Sequence, residues 1–171
     1  AGIKQLKQLA LKNMVLVSGD NKKVAEAIGA ELGITQIHGE LLPEDKVNVV
    51  ADLIDQGNKV AFVGDGINDA PVLARSNIGV AMGGLGSDAA VEAADVILIS
   101  DQISQLATTI KISRYTRKIV WQNIVLALGI KAIFLLLGAF GIATVWEAVF
   151  ADVGVTILAV LNATRALRLN L

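Results

Sequence analysis

The chain has 171 residues and nearly balanced charge, with 15 Lys and Arg against 16 Asp and Glu and a formal net charge of −1. Hydrophobic residues make up 54% of the chain and the mean hydropathy is +0.61, which excludes a disordered chain and disfavours an ordinary soluble domain. No cysteine is present, so the chain forms neither a disulfide nor a thiolate metal site of its own. The charge balance argues against a nucleic-acid partner, because nucleic-acid binding needs a basic surplus.

The elements predicted for the first part of the chain alternate between short apolar strands and helices. Such alternation indicates an α/β fold with a Rossmann-like parallel sheet, in which the functional loops lie at the carboxyl ends of the strands. We expect this domain to cover residues 1–102, with a connecting helix over residues 103–118. The predicted strands are 13–17, 35–38, 60–63, 78–81 and 96–99, and the predicted helices are 22–32, 43–56, 70–75 and 88–93.

The charges are distributed unevenly, and residues 119–171 contain only three basic and two acidic side chains. This apolar tract predicts two membrane-spanning helices, at about residues 119–141 and 144–164, with a turn near Gly141. The alternative is a helical hairpin buried in a soluble core. Basic residues flank both ends of the tract, so the positive-inside bias puts both ends, and the soluble part, in the cytoplasm.

A glycine-containing turn follows the predicted strand at residues 60–63 and carries two carboxylates, Asp65 and Asp69. Carboxylate oxygens suit Mg²⁺, which takes hard ligands together with substrate phosphate, and Gly64 and Gly66 let the backbone approach a phosphoryl group. The alternative is a solvated acidic turn. The sequence therefore offers this loop as a candidate Mg²⁺ and phosphate site.

Two further residues of the predicted carboxyl edge could bind a phosphoryl group. Lys46 lies in the first turn of its predicted helix, where the helix dipole disfavours a cation unless it faces an anion. Ser18 follows the first strand and could donate a hydrogen bond to a phosphoryl oxygen. A solvent-facing lysine and an ordinary turn serine are the alternatives at these two positions.

Charged residues inside a membrane-spanning tract cost free energy, so their presence needs an explanation. Lys131 and Asp152 lie equally far from the basic residues that flank the tract, so an antiparallel hairpin brings them to similar depth, where they could pair. We expect an ion-pathway site with Asp152 as ligand and Lys131 as its counter-charge; a purely structural ion pair is the alternative. Gly154 allows close approach to the backbone, and Asn123 could line the same route nearer the cytoplasm.

Three motifs occur in order along the chain: Ser18-Gly19-Asp20-Asn21, Pro43-Glu44-Asp45-Lys46 and Gly64-Asp65-Gly66-Ile67-Asn68-Asp69-Ala70-Pro71. Together they resemble the later part of the phosphorylation domain of P-type ATPases, which has a haloacid-dehalogenase-like fold. Asn123 and Lys131, followed by Asp152-Val153-Gly154, resemble the zinc, cadmium and lead exporters of the heavy-metal branch. The resemblance covers nearly the whole chain.

The resemblance implies roles for these residues in an ATP-driven exporter of Zn²⁺, Cd²⁺ or Pb²⁺ in a multi-pass membrane protein of the bacterial plasma membrane. Asp65 would bind Mg²⁺ with support from Asp69, and Asp152 would bind the transported ion. Phosphate and nucleotide contacts, with ATP as substrate, would come from Ser18, Gly19, Asp20, Lys46 and Asn68. The phosphorylated Asp of the family, in an Asp-Lys-Thr-Gly-Thr motif, is not among the 171 residues. We therefore expect the chain to be a carboxyl-terminal portion that works with an amino-terminal part and is inactive alone.

Two other functions are compatible with parts of the pattern. A membrane-tethered phosphatase of the same fold would need a nucleophilic Asp before residue 13, and residues 1–12 contain none. A non-catalytic membrane module would leave the acidic loop and the two membrane charges unexplained.

Overall fold

The computed structural model describes residues 2–11, 13–64, 67–83, 88–100 and 102–168, which form two compact units, 1–107 and 108–171. Helices and strands alternate in the first unit, as the sequence predicts. Two 3₁₀ turns, Ile67–Asp69 and Thr164–Arg168, complete the described structure. The strands are β1 (Val15–Val17), β2 (Gln36–His38), β3 (Ala61–Gly64), β4 (Ile78–Met82) and β5 (Val96–Leu98), and the helices are α1 (Gly2–Gln8), α2 (Lys22–Leu32), α3 (Pro43–Asp55), α4 (Ala70–Arg75), α5 (Asp88–Ala93), α6 (Ile103–Ala139) and α7 (Val145–Ala163).

All strand pairs are parallel, but they form two sheets rather than the single sheet that the alternation predicts. One sheet pairs β1 with β2, with Leu16 opposite Ile37. The other has the order β3-β4-β5, with Val63 opposite Val80 and Ala81 opposite Ile97. Within the described residues β1 and β3 each pair on one side only, and most of their residues are only half-buried.

Small residues, not the large apolar ones, form the buried face of α2. Ala25 and Gly29 are buried, whereas Val24 and Ile28 are 49% and 41% exposed. A Cβ at position 29 would collide with the side chain of Ile37 on β2. The close approach of α2 to β2 therefore selects a glycine here and leaves the larger side chains outside.

The core of the first unit lies around α4. Leu73 of α4 packs with Ala81 of β4 and Ala90 of α5, and all three side chains are buried. Gly79 makes this packing possible, because a Cβ there would lie 2.8 Å from the carbonyl oxygen of Leu73. The helix that follows β3 is in this way held against β3 and β4, which fixes the 3₁₀ turn Ile67–Asp69 directly before it.

Helix α6 is a single unbroken helix of 37 residues, without a boundary at Lys118. No proline interrupts it, and Gly141 ends the segment with a positive φ of 70° at the predicted turn. The helices Ile103–Ala139 and Val145–Leu167 are both long and apolar enough to cross a membrane, and 6% of the apolar window of each is buried. Neither helix is therefore buried within this chain as the core helix of a soluble domain would be.

Candidate functional site

The loops after β1 and β2 are joined by backbone hydrogen bonds. Leu41 N–H donates to Ser18 C=O (3.2 Å), and Glu40 N–H donates to Asp20 C=O (2.7 Å). The Ser18 hydroxyl donates to Asp20 Oδ2 (3.0 Å) and accepts from Asp20 N–H (3.1 Å). Ser18 and Asp20 thus form a compact turn, as expected of a turn serine, and this turn contacts the segment that leads into α3.

The start of α3 is fixed by its own sequence. Pro43 occupies the first helical turn, where its missing N–H costs nothing, and the Asp45 carboxylate accepts from Leu42 N–H (3.1 Å). Leu42 has no side-chain acceptor with which to return that bond. Lys46 follows directly, so its position is set by a well-defined helix start.

Lys46 faces an anion, as its place in the first helical turn suggests. Its Nζ lies 2.8 Å from Asp69 Oδ1, and the exposed fractions of the two side chains are only 17% and 11%. Lys46 comes from the segment after β2 and Asp69 from the 3₁₀ turn after β3. The ion pair therefore joins the carboxyl end of one sheet to the carboxyl end of the other.

Gly64 makes room for Asp69. A Cβ at Gly64 would lie 2.8 Å from Asp69 Oδ2 and 2.9 Å from Asp69 Cβ. The last residue of β3 must therefore be a glycine if the Asp69 carboxylate is to lie against the strand end. Among the described residues, only Lys46 is seen to bind that carboxylate.

The donor set at this edge is compatible with Mg²⁺, although it is only partly described. Asp65 and Gly66 lie outside the described residues, and Asn68 is exposed beside Asp69. Within the described part of the chain, no group of three or more His, Asp or Glu side chains could hold a metal. What the structure provides is a buried carboxylate whose second oxygen borders the glycine at the strand end, and a hard cation takes such oxygen ligands.

The two helices of the second unit are joined by hydrogen bonds between Asn123 on α6 and Ala159 and Asn162 on α7. Half-buried or buried residues recur at helical spacing on both helices: Asn123, Ala127, Ile130, Phe134 and Leu137 on α6 and Ala148, Ala151, Gly154, Val155, Ala159 and Asn162 on α7. Ile130 and Phe134 line one shallow apolar hollow together with Ala151, Gly154 and Val155. With Asn123 bonded to Asn162, ideal antiparallel helices would place Lys131 and Asp152 within ~3 Å of each other along the helix axes.

Lys131 and Asp152 nevertheless form no ion pair in this structure. Each is exposed and follows directly after one of these less exposed positions, Ile130 or Ala151. Neighbouring helix positions differ by about 100° in direction, so residues at a similar level need not face each other. A Cβ at Gly154 would meet nothing within 4 Å, so no contact of this chain requires a glycine there.

Asn123 is part of a hydrogen-bonded network. Its Nδ2 donates to the Ala159 carbonyl oxygen (3.1 Å), and its Oδ1 accepts from Asn162 Nδ2 (2.8 Å). Arg165 Nη1 donates in turn to Asn162 Oδ1 (2.9 Å). The sequence analysis did not single out Asn162 or Arg165 for this role; an amide in an otherwise apolar helix was the available signal.

Comparison with known proteins first identifies the class to which this fold and site belong. Residues 1–77 match the family model described as haloacid dehalogenase-like hydrolase. The chain is 61% identical over 98% of its length to a cadmium, zinc and cobalt-transporting ATPase of Bacillus subtilis strain 168, of which it covers 24%. It is 56% identical over 95% of its length to a zinc-transporting ATPase of Synechocystis sp., of which it covers 23%.

A solved structure gives the same result. The crystal structure of a zinc-transporting PIB-type ATPase in an E2.Pi state superimposes with a TM-score of 0.90 and 43% sequence identity, over 97% of this chain and 27% of that one. Over nearly its whole length the chain therefore corresponds to part of a P-type ATPase, and the relatives named above are transporters of zinc, cadmium or cobalt. It spans about a quarter of the length of the curated relatives it matches.

Proposed function

We propose that this chain is part of an ATP-driven exporter of Zn²⁺ or Cd²⁺ that works through an aspartyl-phosphate. The Lys46–Asp69 pair, with a separation of 2.8 Å, is the observation that carries the proposal. A half-buried ammonium group at the carboxyl edge of parallel strands can neutralise a phosphoryl group, and phosphoryl transfer is catalysed mainly by positioning and charge neutralisation. The name of one relative includes cobalt and none of those reported includes lead, so Pb²⁺ does not enter the proposal.

In the proposed phosphoryl site, Lys46 exchanges its carboxylate partner for a phosphoryl oxygen. The Ser18 hydroxyl, the backbone of Gly19, Asp20 and the exposed Asn68 side chain would contribute further contacts to phosphate or nucleotide. Asp65 and Asp69 would hold Mg²⁺, which supplies charge neutralisation when bound. Asp69 would thereby have two alternative cationic partners, Lys46 and the metal ion.

The proposed partner in the soluble part is a strand from an amino-terminal segment of the same protein. β1 and β3 each pair on one side only within the described residues, and an unpaired edge of an apolar strand leaves backbone donors and acceptors unsatisfied. A parallel strand between them would unite the two sheets. The residue after its carboxyl end would then lie near Ser18, Lys46 and Asp69, where a phosphorylated Asp is needed.

In the proposed transport site, Asp152 is a ligand of the exported ion and Lys131 is the counter-charge. Both are exposed in this chain, and a charge exposed at the membrane centre costs roughly 2.5–3.5 kcal/mol on insertion scales. Further helices of a multi-pass membrane protein would cover them and could supply additional ligands. The open space beside Gly154 would allow such a helix or the ion to come close to the backbone of α7.

The test uses the full-length ATPase that contains this chain, in membrane vesicles. Lys46→Gln should strongly reduce phosphoenzyme formation from ATP and zinc-stimulated hydrolysis, because the phosphoryl group loses its cation. Lys23→Gln is the matched control, since Lys23 is an exposed lysine on α2. Normal phosphoenzyme formation by Lys46→Gln, or equal loss in the control, would overturn the proposed role.

A further inference from the structure

The hydrogen bonds between α6 and α7 form a chain that runs in one direction. Arg165 donates to Asn162 (2.9 Å), Asn162 donates to Asn123 (2.8 Å), and Asn123 donates to the Ala159 carbonyl oxygen (3.1 Å). We call these three side chains and the Ala159 carbonyl the amide relay. Asn162 Nδ2 also lies 3.3 Å from Gln122 Oε1, which adds a second acceptor on α6.

The two ends of the amide relay determine its direction. A guanidinium group can only donate, and a backbone carbonyl can only accept. The Asn162 oxygen must therefore face Arg165, which turns its NH₂ group toward α6. The Asn123 oxygen must accept from that NH₂ group, because its own NH₂ group is committed to Ala159. Each amide thus has one orientation that satisfies all its partners.

This arrangement is poorly suited to binding a passing cation. The side-chain oxygens of Asn123 and Asn162 both accept hydrogen bonds from N–H donors, and the Arg165 guanidinium carries a positive charge at one end. An ion at the Asn123 oxygen would displace the Asn162 NH₂ group and meet the Arg165 charge. We propose that Asn123 is a positioning residue and that the amide relay locks the register and rotation of α6 against α7.

The amide relay lies close enough to Lys131 and Asp152 to control their position relative to each other. Lys131 follows Asn123 by eight residues on α6 and Asp152 precedes Asn162 by ten on α7, distances of ~12 and ~15 Å along the helices. A rotation or slip at the amide relay would therefore shift Lys131 relative to Asp152. The functional part of this inference rests on the proposed transport role of those two residues, whereas the lock itself does not.

The first experiment is a double-mutant cycle on the thermal unfolding of the full-length protein, with Asn123→Ala, Asn162→Ala and the double variant. Each single change should raise the unfolding equilibrium constant about 3- to 20-fold, the factors that correspond to ~0.6 and ~1.7 kcal/mol for polar contacts between membrane helices. The double variant should be no less stable than the worse single variant. Thr164→Val is the control, because the Thr164 hydroxyl donates to Leu161 C=O within its own helix end and contacts neither Asn123 nor Asn162. Additive effects of the two alanine changes would overturn the lock, whether or not the protein transports zinc.

The second experiment uses exposed Arg165, where substitutions should not prevent folding. Arg165→Lys and Arg165→Gln keep an N–H donor and should leave the stability of the protein unchanged. Arg165→Glu presents carboxylate oxygens to the Asn162 oxygen and should lower the stability. Asn162→Asp should lower the stability as much as Asn162→Ala, because a carboxylate cannot donate to Asn123.

In zinc-stimulated hydrolysis the alanine variants should lower kcat while the KM for zinc changes less than about twofold. A rise of tenfold or more in that KM for Asn123→Ala alone would instead make Asn123 an ion ligand and overturn the proposal.

Discussion

The carboxylate of Asp69 occupies the space that a side chain at position 64 would need. The nearest approach is 2.8 Å, between a Cβ placed on Gly64 and Asp69 Oδ2, and the Phe62 ring is 3.0 Å from the same point. Gly64 therefore positions the carboxylate that Lys46 binds, although it carries no functional group itself. The glycine before the acidic loop has a packing role that is specific to this site.

Gly64→Ala should displace Asp69 and weaken its ion pair with Lys46. Extra methyl groups in packed sites cost about 1–3 kcal/mol, so the free energy of unfolding should fall by that amount. Denaturant unfolding in detergent, with hydrogen exchange followed at α3 and α4, measures the effect. Ala61→Ser on the exposed start of the same strand is the control and should have little effect. An unchanged stability and normal phosphoenzyme formation in Gly64→Ala would contradict the packing role.

Removing the Lys46 cation should lower the free energy of unfolding more than removing the negative charge of Asp69. Lys46→Met leaves the Asp69 carboxylate buried without its partner, which should lower the free energy of unfolding by about 1–3 kcal/mol. Asp69→Asn keeps an oxygen that can accept from Lys46 and should be milder. The same unfolding measurement compares the two, with Lys23→Met as an exposed-lysine control. An unchanged stability of Lys46→Met would show that the pair contributes little to folding.

The helices and strands of the first unit were largely predictable because their signals are local. Predicted helices 22–32, 70–75 and 88–93 match α2, α4 and α5, and Pro43 and the acids after it mark the start of α3. The buried face of α2 was not predictable, since it is set by the approach of Gly29 to Ile37 from another element. The division into two sheets also depends on which strands are available as neighbours, which periodicity does not encode.

The candidate site residues could be named from the sequence as single positions but not as contacts. The position of Lys46 in a first helical turn indicates an anion, yet only the structure identifies Asp69 as that anion. The spacing of Lys131 and Asp152 predicts a similar depth, but direction around a helix changes by about 100° per residue, and the two side chains form no ion pair in this structure. Asn162 was missed because its partner Asn123 lies 39 residues away in the chain, and Arg165 was missed because its only signal was a partner, Asn162, that had itself not been identified.

Glu147 has a structural role at the start of α7, where it caps the helix. Its carboxylate accepts from Thr144 N–H (2.7 Å), and the Thr144 hydroxyl accepts from Glu147 N–H (3.5 Å), which together form a capping box. Thr144→Ala should therefore destabilise the protein by about 1 kcal/mol. Glu147→Gln, which keeps an acceptor, should be tolerated with an unchanged KM for zinc. Thermal unfolding and zinc-stimulated hydrolysis measure both, and a changed metal KM in Glu147→Gln would place this residue in the ion route.

Asp152 and Lys131 should respond differently to substitution if they serve transport. Asp152→Ala removes the proposed anionic ligand and should abolish zinc-stimulated ATP hydrolysis by the full-length protein. Lys131→Ala should leave zinc binding intact but slow or uncouple ion release, because the counter-charge that hinders rebinding is gone. Neither change should greatly lower the folded yield, since the two side chains form no ion pair with each other in this chain.

The double variant Asp152→Ala with Lys131→Ala separates transport from a structural ion pair. A structural pair predicts that each single change lowers the folded yield and that the double change restores both yield and hydrolysis, because no uncompensated membrane charge remains. A ligand role predicts that the double variant is as inactive as Asp152→Ala, since removing Lys131 cannot replace the lost carboxylate. Zinc-stimulated hydrolysis and folded yield, measured together on the two single variants and the double variant, decide between them. An active double variant would refute the ligand role of Asp152.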